Sequence, residues 1–587
     1  MSKAKRWRSA QILWLCLFLT CSPATWPAET EPLEIEGVDK ALAENIRLNL
    51  PAPAKLRQQS RKLMRQRLQG PATRALQAFG YYRATVEVRF NNGRPSLHIT
   101  PGPAVTWGHI DIRSLANGRD AEPEMAGSNE ADPALAKFIA SHPFQPDAPM
   151  NHATYDNFKR DYLAQARARG YLDAALTRHE LRIDLTRYRA DVVLELRHGD
   201  AYRLGAIAFT GSDLSAPLLH HLSGLNSGDR YDANHIGDAY NQLLNSGYFA
   251  AVAIDTQPQP PNQIDLTVKL QDAPTHRFTT GAGYGTDTGP RVQFGWQRPR
   301  VNRRGDSLQT RLQISAVSQS LSTEYRIPWH HPLIRYLSWQ SGWQKKQVED
   351  TDTRIVTTGL AYNNLATTGW QHTYQVDLER ETYAQGSQAT ETVTYVIPSG
   401  SWTRTVISGE ARNPDWGFRL WLGLQASSTL LGSDTDFVRL TAGLRHLYRL
   451  SVNYQLIARI SGGAIYSGDF LDVPASRRFF TGGDQTVRGF AFESLSPQDA
   501  AGELTGGQRL NTASLELRRQ WRPNWQWAFF VDSGRAYNDS AESFHTGAGF
   551  GLRWQSPVGT LALDLAKPVD SDRSDSLRLH LYMGLPL

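Results

Sequence analysis

The sequence predicts an exported chain in two parts: α+β repeats, followed by a transmembrane antiparallel β-barrel of 16 strands. Three observations predict it. A helix that ends on Gly-Tyr and gives way to alternating strands recurs three times, at Gly80-Tyr81, Gly170-Tyr171 and Gly247-Tyr248. From about Arg277 the helical spacing stops, and alternating apolar and polar segments follow one another. The chain is also polar on average, with a mean hydropathy of −0.45. That excludes a bundle of membrane helices but not a barrel, whose strands turn half their residues away from lipid.

Residues 1–24 read as a secretory signal peptide. Lys3, Lys5, Arg6 and Arg8 precede the apolar run from Ile12 to Leu19, and the small Ser22 and Ala24 stand just before a cleavage point. A lipoprotein reading at Cys21 fits poorly behind Leu19-Thr20. Cleavage removes four bases and no acids, so the formal charge falls from +6 to +2 and the basic balance implies no nucleic-acid partner. Both of the 2 cysteines, Cys16 and Cys21, leave with it. The mature chain therefore carries no disulfide and no thiol chemistry.

Residues 29–275 repeat one plan, in units at 29–103, 104–201 and 202–275. Each opens with a strand, at Leu33 to Glu36, Trp107 to Ile112 and Leu204 to Phe209. Helical spacing follows, as in Ala72, Leu76 and Phe79, in Tyr155, Phe158 and Tyr162, and in Ile236, Ala239, Tyr240, Leu243 and Leu244. Glycine directly after such a run signals a helix C-terminus, because it adopts the left-handed conformation cheaply. Two alternating strands close each unit, the first at Val86, Val88 and Phe90, with a turn at Asn92-Gly93 and a return through Leu97 and Ile99. The order is β-α-α-β-β, with an insertion at Asn117 to Asp132 in the second unit.

Residues 276–587 supply the barrel. Leu577, Leu579, Leu581 and Met583 share one face of the last segment, and Arg578, His580 and Tyr582 take the other. About 310 residues at roughly 19 per strand and turn give about 16 strands, and the pattern alone allows roughly 12 to 18. Trp and Tyr gather near segment ends, as interfacial girdles require. Only a closed barrel satisfies every backbone group in lipid.

No catalytic constellation stands out: there is no G-x-S-x-G, no H-E-x-x-H and no P-loop, so neither catalysis nor a metal or cofactor site is expected. The adjacent pairs His220-His221 and His330-His331 would point to opposite faces of a strand. Asp532 shares an inward face with Phe530, opposite Trp527, Phe529 and Val531, and a loop arginine folded into a dry lumen needs such a partner. A bidentate Arg488–Asp532 pair would pin the loop to the wall, the alternative being an exposed loop arginine.

Three such units ahead of a barrel resemble the POTRA array of the BamA/TamA superfamily of outer-membrane assembly factors. Gly482-Gly483 with Val487-Arg488-Gly489-Phe490 resembles the family's VRGF loop motif, and Phe530-Val531-Asp532-Ser533-Gly534 its F-x-D-x-G strand motif. Gly549 to Gly559 followed by Leu563 to Ala566 is similar to the penultimate hairpin. Gly281-Ala282-Gly283-Tyr284, Asp287 to Arg291 and Tyr325-Arg326-Ile327-Pro328 are similar to the TamA branch, as is the count of three units. The resemblance implies an outer-membrane location with POTRA domains in the periplasm. It also implies a TamB-like inner-membrane-anchored partner, outer-membrane lipid around the barrel, and unfolded outer-membrane clients such as autotransporters. It implies a lateral seam as well, between a first strand carrying Gly281, Gly283 and Gly285 and a last strand carrying Leu577, Leu579, Leu581 and Met583. Glycine weakens a strand interior, and a weak edge can template an incoming strand, although glycine also suits a tight barrel corner. The rival readings are a transport channel for a secreted passenger, a lipid-transport component, or a periplasmic tether.

Overall fold

The computed structural model describes residues 33–51, 60–91, 94–115, 132–410, 413–556, 559–569 and 577–584. The signal peptide, the Asn92-Gly93 turn and the insertion up to residue 131 lie outside the described residues.

The first unit runs β1 (Glu34–Glu36), α1 (Lys40–Asn49), α2 (Arg61–Ala78), β2 (Thr85–Asn91) and β3 (Arg94–Thr100). The second runs β4 (Thr106–Leu115), α3 (Pro133–Ala140), α4 (His152–Ala168), β5 (Ala175–Asp184) and β6 (Arg189–Arg197). The third runs β7 (Arg203–Thr210), α5 (Ala216–Ser223), α6 (Ala233–Asn245), β8 (Phe249–Gln259) and β9 (Gln263–Asp272). In each, the last strand lies at the centre of a three-stranded sheet, parallel to the first and antiparallel to the second. His220 and His221 therefore sit on a helix, not on a strand.

Local chemistry explains the repeat. Asp39 accepts the Leu42 amide at 2.8 Å, and Asn151 and Asp232 cap α4 and α6 in the same way. At the other ends of α2 and α4, Tyr81 and Tyr171 N–H groups reach back to the Leu76 and Ala166 carbonyls at 3.0 and 3.1 Å. That closure needs a left-handed residue, and Gly80 and Gly170 supply φ of 86° and 91°. A second shared device lies in the sheets of the second and third units. Asp191 on β6 and Asp265 on β9 each accept an amide of a bulged β4 or β7, from His109 and Ala206, at 2.7 Å.

The barrel has 16 strands in sequential order. They are β10 (Arg277–Gly285), β11 (Gly289–Arg298), β12 (Ser307–Ser315), β13 (Ser318–His331), β14 (Arg335–Val348) and β15 (Thr351–Leu365). Next come β16 (Trp370–Gln385), β17 (Glu391–Glu410), β18 (Asn413–Ser427), β19 (Phe437–Ser451) and β20 (Tyr454–Ser467). After a long loop at 468–508 follow β21 (Arg509–Arg522), β22 (Trp525–Tyr537), β23 (His545–Ser556), β24 (Gly559–Pro568) and β25 (Arg578–Gly584). Aliphatic and aromatic side chains such as Leu360, Val376, Ile460 and Phe529 stand exposed on the outer face, as a lipid-facing wall requires. Among the described residues no helix is long and apolar enough to cross a membrane.

The third unit docks on the turn between β11 and β12. Tyr248 Oη donates to the Gly305 carbonyl at 2.5 Å, Ser215 N–H to the Arg303 carbonyl at 2.9 Å, and Arg300 pairs with Asp272 at 2.6 Å.

Candidate functional site

The loop at 468–508 carries the VRGF motif. Its depth follows from alternation on the strands around it. On β22, Phe529 and Val531 face out, which turns Ala528, Phe530 and Asp532 inward. The same parity turns Glu516 on β21, Arg553 on β23, Asp564 on β24 and His580 on β25 into the lumen, where all five polar residues are buried.

Arg488 enters this pocket and is fully buried. Its Nε and Nη2 donate to the two Asp532 carboxylate oxygens at 2.6 and 2.9 Å. Its Nη1 reaches Glu516 at 2.7 Å and Asp564 at 2.9 Å. Its own backbone N–H adds a bond to Asp532 at 3.1 Å, and the guanidinium lies 3.3 Å above the Phe530 ring. Arg553 bonds Glu516 at 2.8 Å and also Asp564, while Arg518 bonds Glu516 at 2.7 Å. Three guanidiniums thus meet three carboxylates, so the buried charges balance.

The neighbouring motif residues complete the anchor. Val487 packs on the backbone at Gly534, and Phe490 is buried with its ring 5.5 Å from that of His545. Gly489 N–H donates to His580 Nε2 at 3.0 Å, which leaves the histidine proton on Nδ1, 3.8 Å from Asp287. Asp484 N–H donates to Asp287 at 2.6 Å. One loop therefore grips the hairpin after the first strand, the wall at β22 and the last strand. On the far wall, Arg477 pairs with Glu379 at 2.6 Å, and Ser476 donates to Glu381 at 2.6 Å. Gly547 makes room for the chain: a Cβ there would stand 1.8 Å from the Arg488 carbonyl oxygen.

The structure brings Arg488 and Asp532 together, and it adds Glu516, Asp564, Arg553, Gly547 and His580, which sequence reasoning did not assign to the site. The available signal was an acid or base isolated in an apolar alternation, as with Glu516 between Leu515 and Leu517.

Among the described residues, the first and last strands meet at one end only. Every neighbouring pair from β10 to β25 shares a ladder; on β24–β25 it runs unbroken from Thr560 to Ala566. Between β10 and β25, the described residues make one backbone bond, Thr286 N–H to the Leu581 carbonyl at 3.1 Å, and one from Leu581 N–H to Thr286 Oγ1 at 3.1 Å. Gly281 and Gly283 stand opposite Gln293 and Arg291 on β11, and Gly285 is the one that approaches Leu581. Leu577, Leu579 and Met583 are exposed on the outer face, and Leu581 is half-buried beside the seam.

Three parts of the chain match known protein families. Residues 301–585 match the Omp85 superfamily domain, residues 32–101 the model described as POTRA domain TamA domain 1, and residues 202–272 a POTRA model described as surface antigen variable number repeat. The chain thus carries an Omp85 superfamily domain behind POTRA domains, of the outer-membrane kind with the POTRA domains in the periplasm.

Its relatives include the outer membrane protein assembly factor BamA of Nitratidesulfovibrio vulgaris, 24% identical over 387 residues, covering 61% of this chain and 48% of that protein. Another is the BamA of Neorickettsia risticii, 22% identical over 442 residues, covering 66% and 56%. The chain spans about half the length of these curated relatives. The crystal structure of BamA from Haemophilus ducreyi lacking POTRA domains 1–3 shares the fold, with a TM-score of 0.68 at 15% identity, covering 81% of this chain and 98% of that one.

Proposed function

We propose that this chain is a non-enzymatic outer-membrane protein assembly factor of the TamA branch, which helps insert and translocate autotransporter-type clients. The observation that carries the reading is the seam. One backbone hydrogen bond joins β10 to β25 among the described residues, where neighbouring strands share whole ladders. In hydrocarbon each unpaired N–H or C=O costs several kcal/mol, so a nascent strand needs a partner edge before it enters. A seam this lightly bonded lends such an edge by β-augmentation at small cost. A loop tied to both walls of the lumen favours this mechanism over an open channel for a secreted passenger.

In this reading the segments 29–103, 104–201 and 202–275 act as three POTRA domains behind a cleaved signal at 1–24, and 276–587 forms the membrane domain. Exposed apolar residues contact outer-membrane lipid, and the 29–103 unit receives a TamB-like partner anchored in the inner membrane. Deleting 29–103 without loss of partner co-purification would contradict that docking.

The cysteine-free mature chain makes the seam testable. Thr286 and Leu581 bond each other across it, so Thr286→Cys with Leu581→Cys places two thiols across the seam. Surface display of an autotransporter should fall when the pair is oxidised and return with reductant. Unchanged display under complete locking would refute the seam mechanism and favour a lumenal or lipid-directed role.

A further inference from the structure

A second cluster of charge lies in the lumen, apart from the loop anchor. Strand register sets Arg419 on β18 opposite Arg445 on β19, and Arg445 opposite Arg459 on β20. Cross-strand neighbours stand about 5 Å apart at Cβ, and like charges so placed repel. The next residues along these strands, Leu420, Leu444 and Ile460, are likewise in register, and Leu444 and Ile460 are exposed on the outer face. The three arginines therefore face inward. They line one cavity of about 500 Å³ together with Thr441, Ser514 and Gln485, and they also border a second of similar size.

This row lacks the charge balance of the anchor. Glu516, Asp532 and Asp564 are engaged by Arg488, Arg518 and Arg553. Arg459 donates to Ser514 Oγ at 3.0 Å and to the Gln485 carbonyl at 3.3 Å, and it stands 3.9 Å from Asp532. Among the described residues, Arg419 and Arg445 have no carboxylate within ion-pair distance and no hydrogen-bond acceptor, and Arg445 Nε is buried without a partner. A buried guanidinium donor without an acceptor, as at Arg445 Nε, is costly, and like charges in register on both sides add to that cost.

We infer that the Arg419–Arg445–Arg459 row is a binding site for a phosphate-type oxyanion. The planar forks of arginine match such oxygens, and one multivalent anion lying across the row turns mutual repulsion into three attractions. The hydroxyls of Thr441 and Ser514 supply further donors to the same cavity. The anion is either free or carried on a lipid headgroup, and the recognising chemistry is the same for both.

The test uses the full chain in uncharged detergent, with pyrophosphate as the probe against chloride at matched ionic strength. Pyrophosphate should raise the thermal unfolding midpoint of the wild type. Arg445→Gln and Arg419→Gln should each unfold in chloride at the same temperature as the wild type or higher, since each relieves the row. Each should also lose about ten-fold or more in pyrophosphate affinity. Reconstitution in phosphatidylcholine vesicles with and without phosphatidylglycerol separates the sources. A shift with phosphatidylglycerol but not with pyrophosphate assigns a lipid headgroup, and a shift with pyrophosphate assigns an anion that enters from water. Absence of both responses, or equal responses in the wild type and both glutamine variants, would overturn the site. None of these outcomes depends on the seam.

Discussion

Arg488→Ala is the most informative perturbation of the loop anchor. The side chain donates four hydrogen bonds to three buried carboxylates and stacks on Phe530. Truncation leaves Asp532, Glu516 and Asp564 facing only Arg518 and Arg553, with Arg459 at 3.9 Å. Removing one partner of a buried ion pair costs about 3–5 kcal/mol, most of it the uncompensated charge left behind. The undocked fraction of the loop should therefore rise by roughly two to three and a half orders of magnitude, at roughly 1.4 kcal/mol per decade. Asp532→Ala should cost less, about 3 kcal/mol, because Glu516 and Asp564 still hold Nη1 of Arg488.

The double variant separates this contact from general damage. Once Arg488 is gone, Asp532 is a liability, so removing it should be no worse than Arg488→Ala alone, with a coupling of about 3 kcal/mol or more. The readout is the rate at which a maleimide labels Val487→Cys, a buried position on the same loop in a mature chain with no other cysteine. Labelling should be slow in the parent, fast in Arg488→Ala, and no faster in the double variant. Additive losses, or labelling unmoved by Arg488→Ala, would refute the anchor.

Two further expectations follow from the packing. Gly547→Ala removes no charge, yet its Cβ would collide with the Arg488 carbonyl at 1.8 Å, so Val487→Cys labelling should rise about as much as in Arg488→Ala. A parent-like rate would mean that the loop backbone yields freely there. In the second repeat unit, burial pushes the Tyr162 hydroxyl from 10.0 up to about 12. Below pH 10 both folded and unfolded tyrosine keep the proton; between 10 and 12 only the unfolded form loses it, so stability falls as pH rises through that window. The loss approaches about 3 kcal/mol at 1.36 kcal/mol per pH unit. Subtilisin cleavage within residues 132–198 should accelerate from pH 9 to 11, and less steeply in Tyr162→Phe, whereas identical profiles would exclude the effect.

How far the sequence discloses this molecule depends on the range of each interaction. The β-α-α-β-β order is legible because its signals are local: Asp39, Asn151 and Asp232 cap helices, and Gly80 and Gly170 end them. Strand alternation is equally local, so it turns Asp532 inward without any knowledge of neighbours. Depth and register are not local. Alternation marks Glu516, Arg553 and Asp564 as inward, yet only the stagger of β21 through β24 puts them at the height of Arg488. The same stagger brings Gly285 to Leu581 and leaves Gly281 and Gly283 against β11, a distinction that composition of the strands does not carry. The arginine row is the extreme case. Arg419, Arg445 and Arg459 lie on three strands and become neighbours only through two registers.

The loop anchor and the seam bear on one another through these same contacts. A sheet edge without a ladder needs other bonds to stay closed, and the loop supplies them from inside. Gly489 N–H holds His580 on the last strand, while Asp484 N–H holds Asp287 just beyond the first. With the Thr286–Leu581 pair, these are a few hydrogen bonds worth about 1 kcal/mol each, against a ladder several residues long elsewhere. On the proposed mechanism, closure so weakly bonded would open at a cost of a few kcal/mol, which corresponds to a minor open state of about 0.1–10%. Any change that lifts the loop from β22 therefore also removes its grip on both sides of the seam. On the proposed mechanism Arg488, buried deep in the lumen, would act on an opening at the lipid face without touching it.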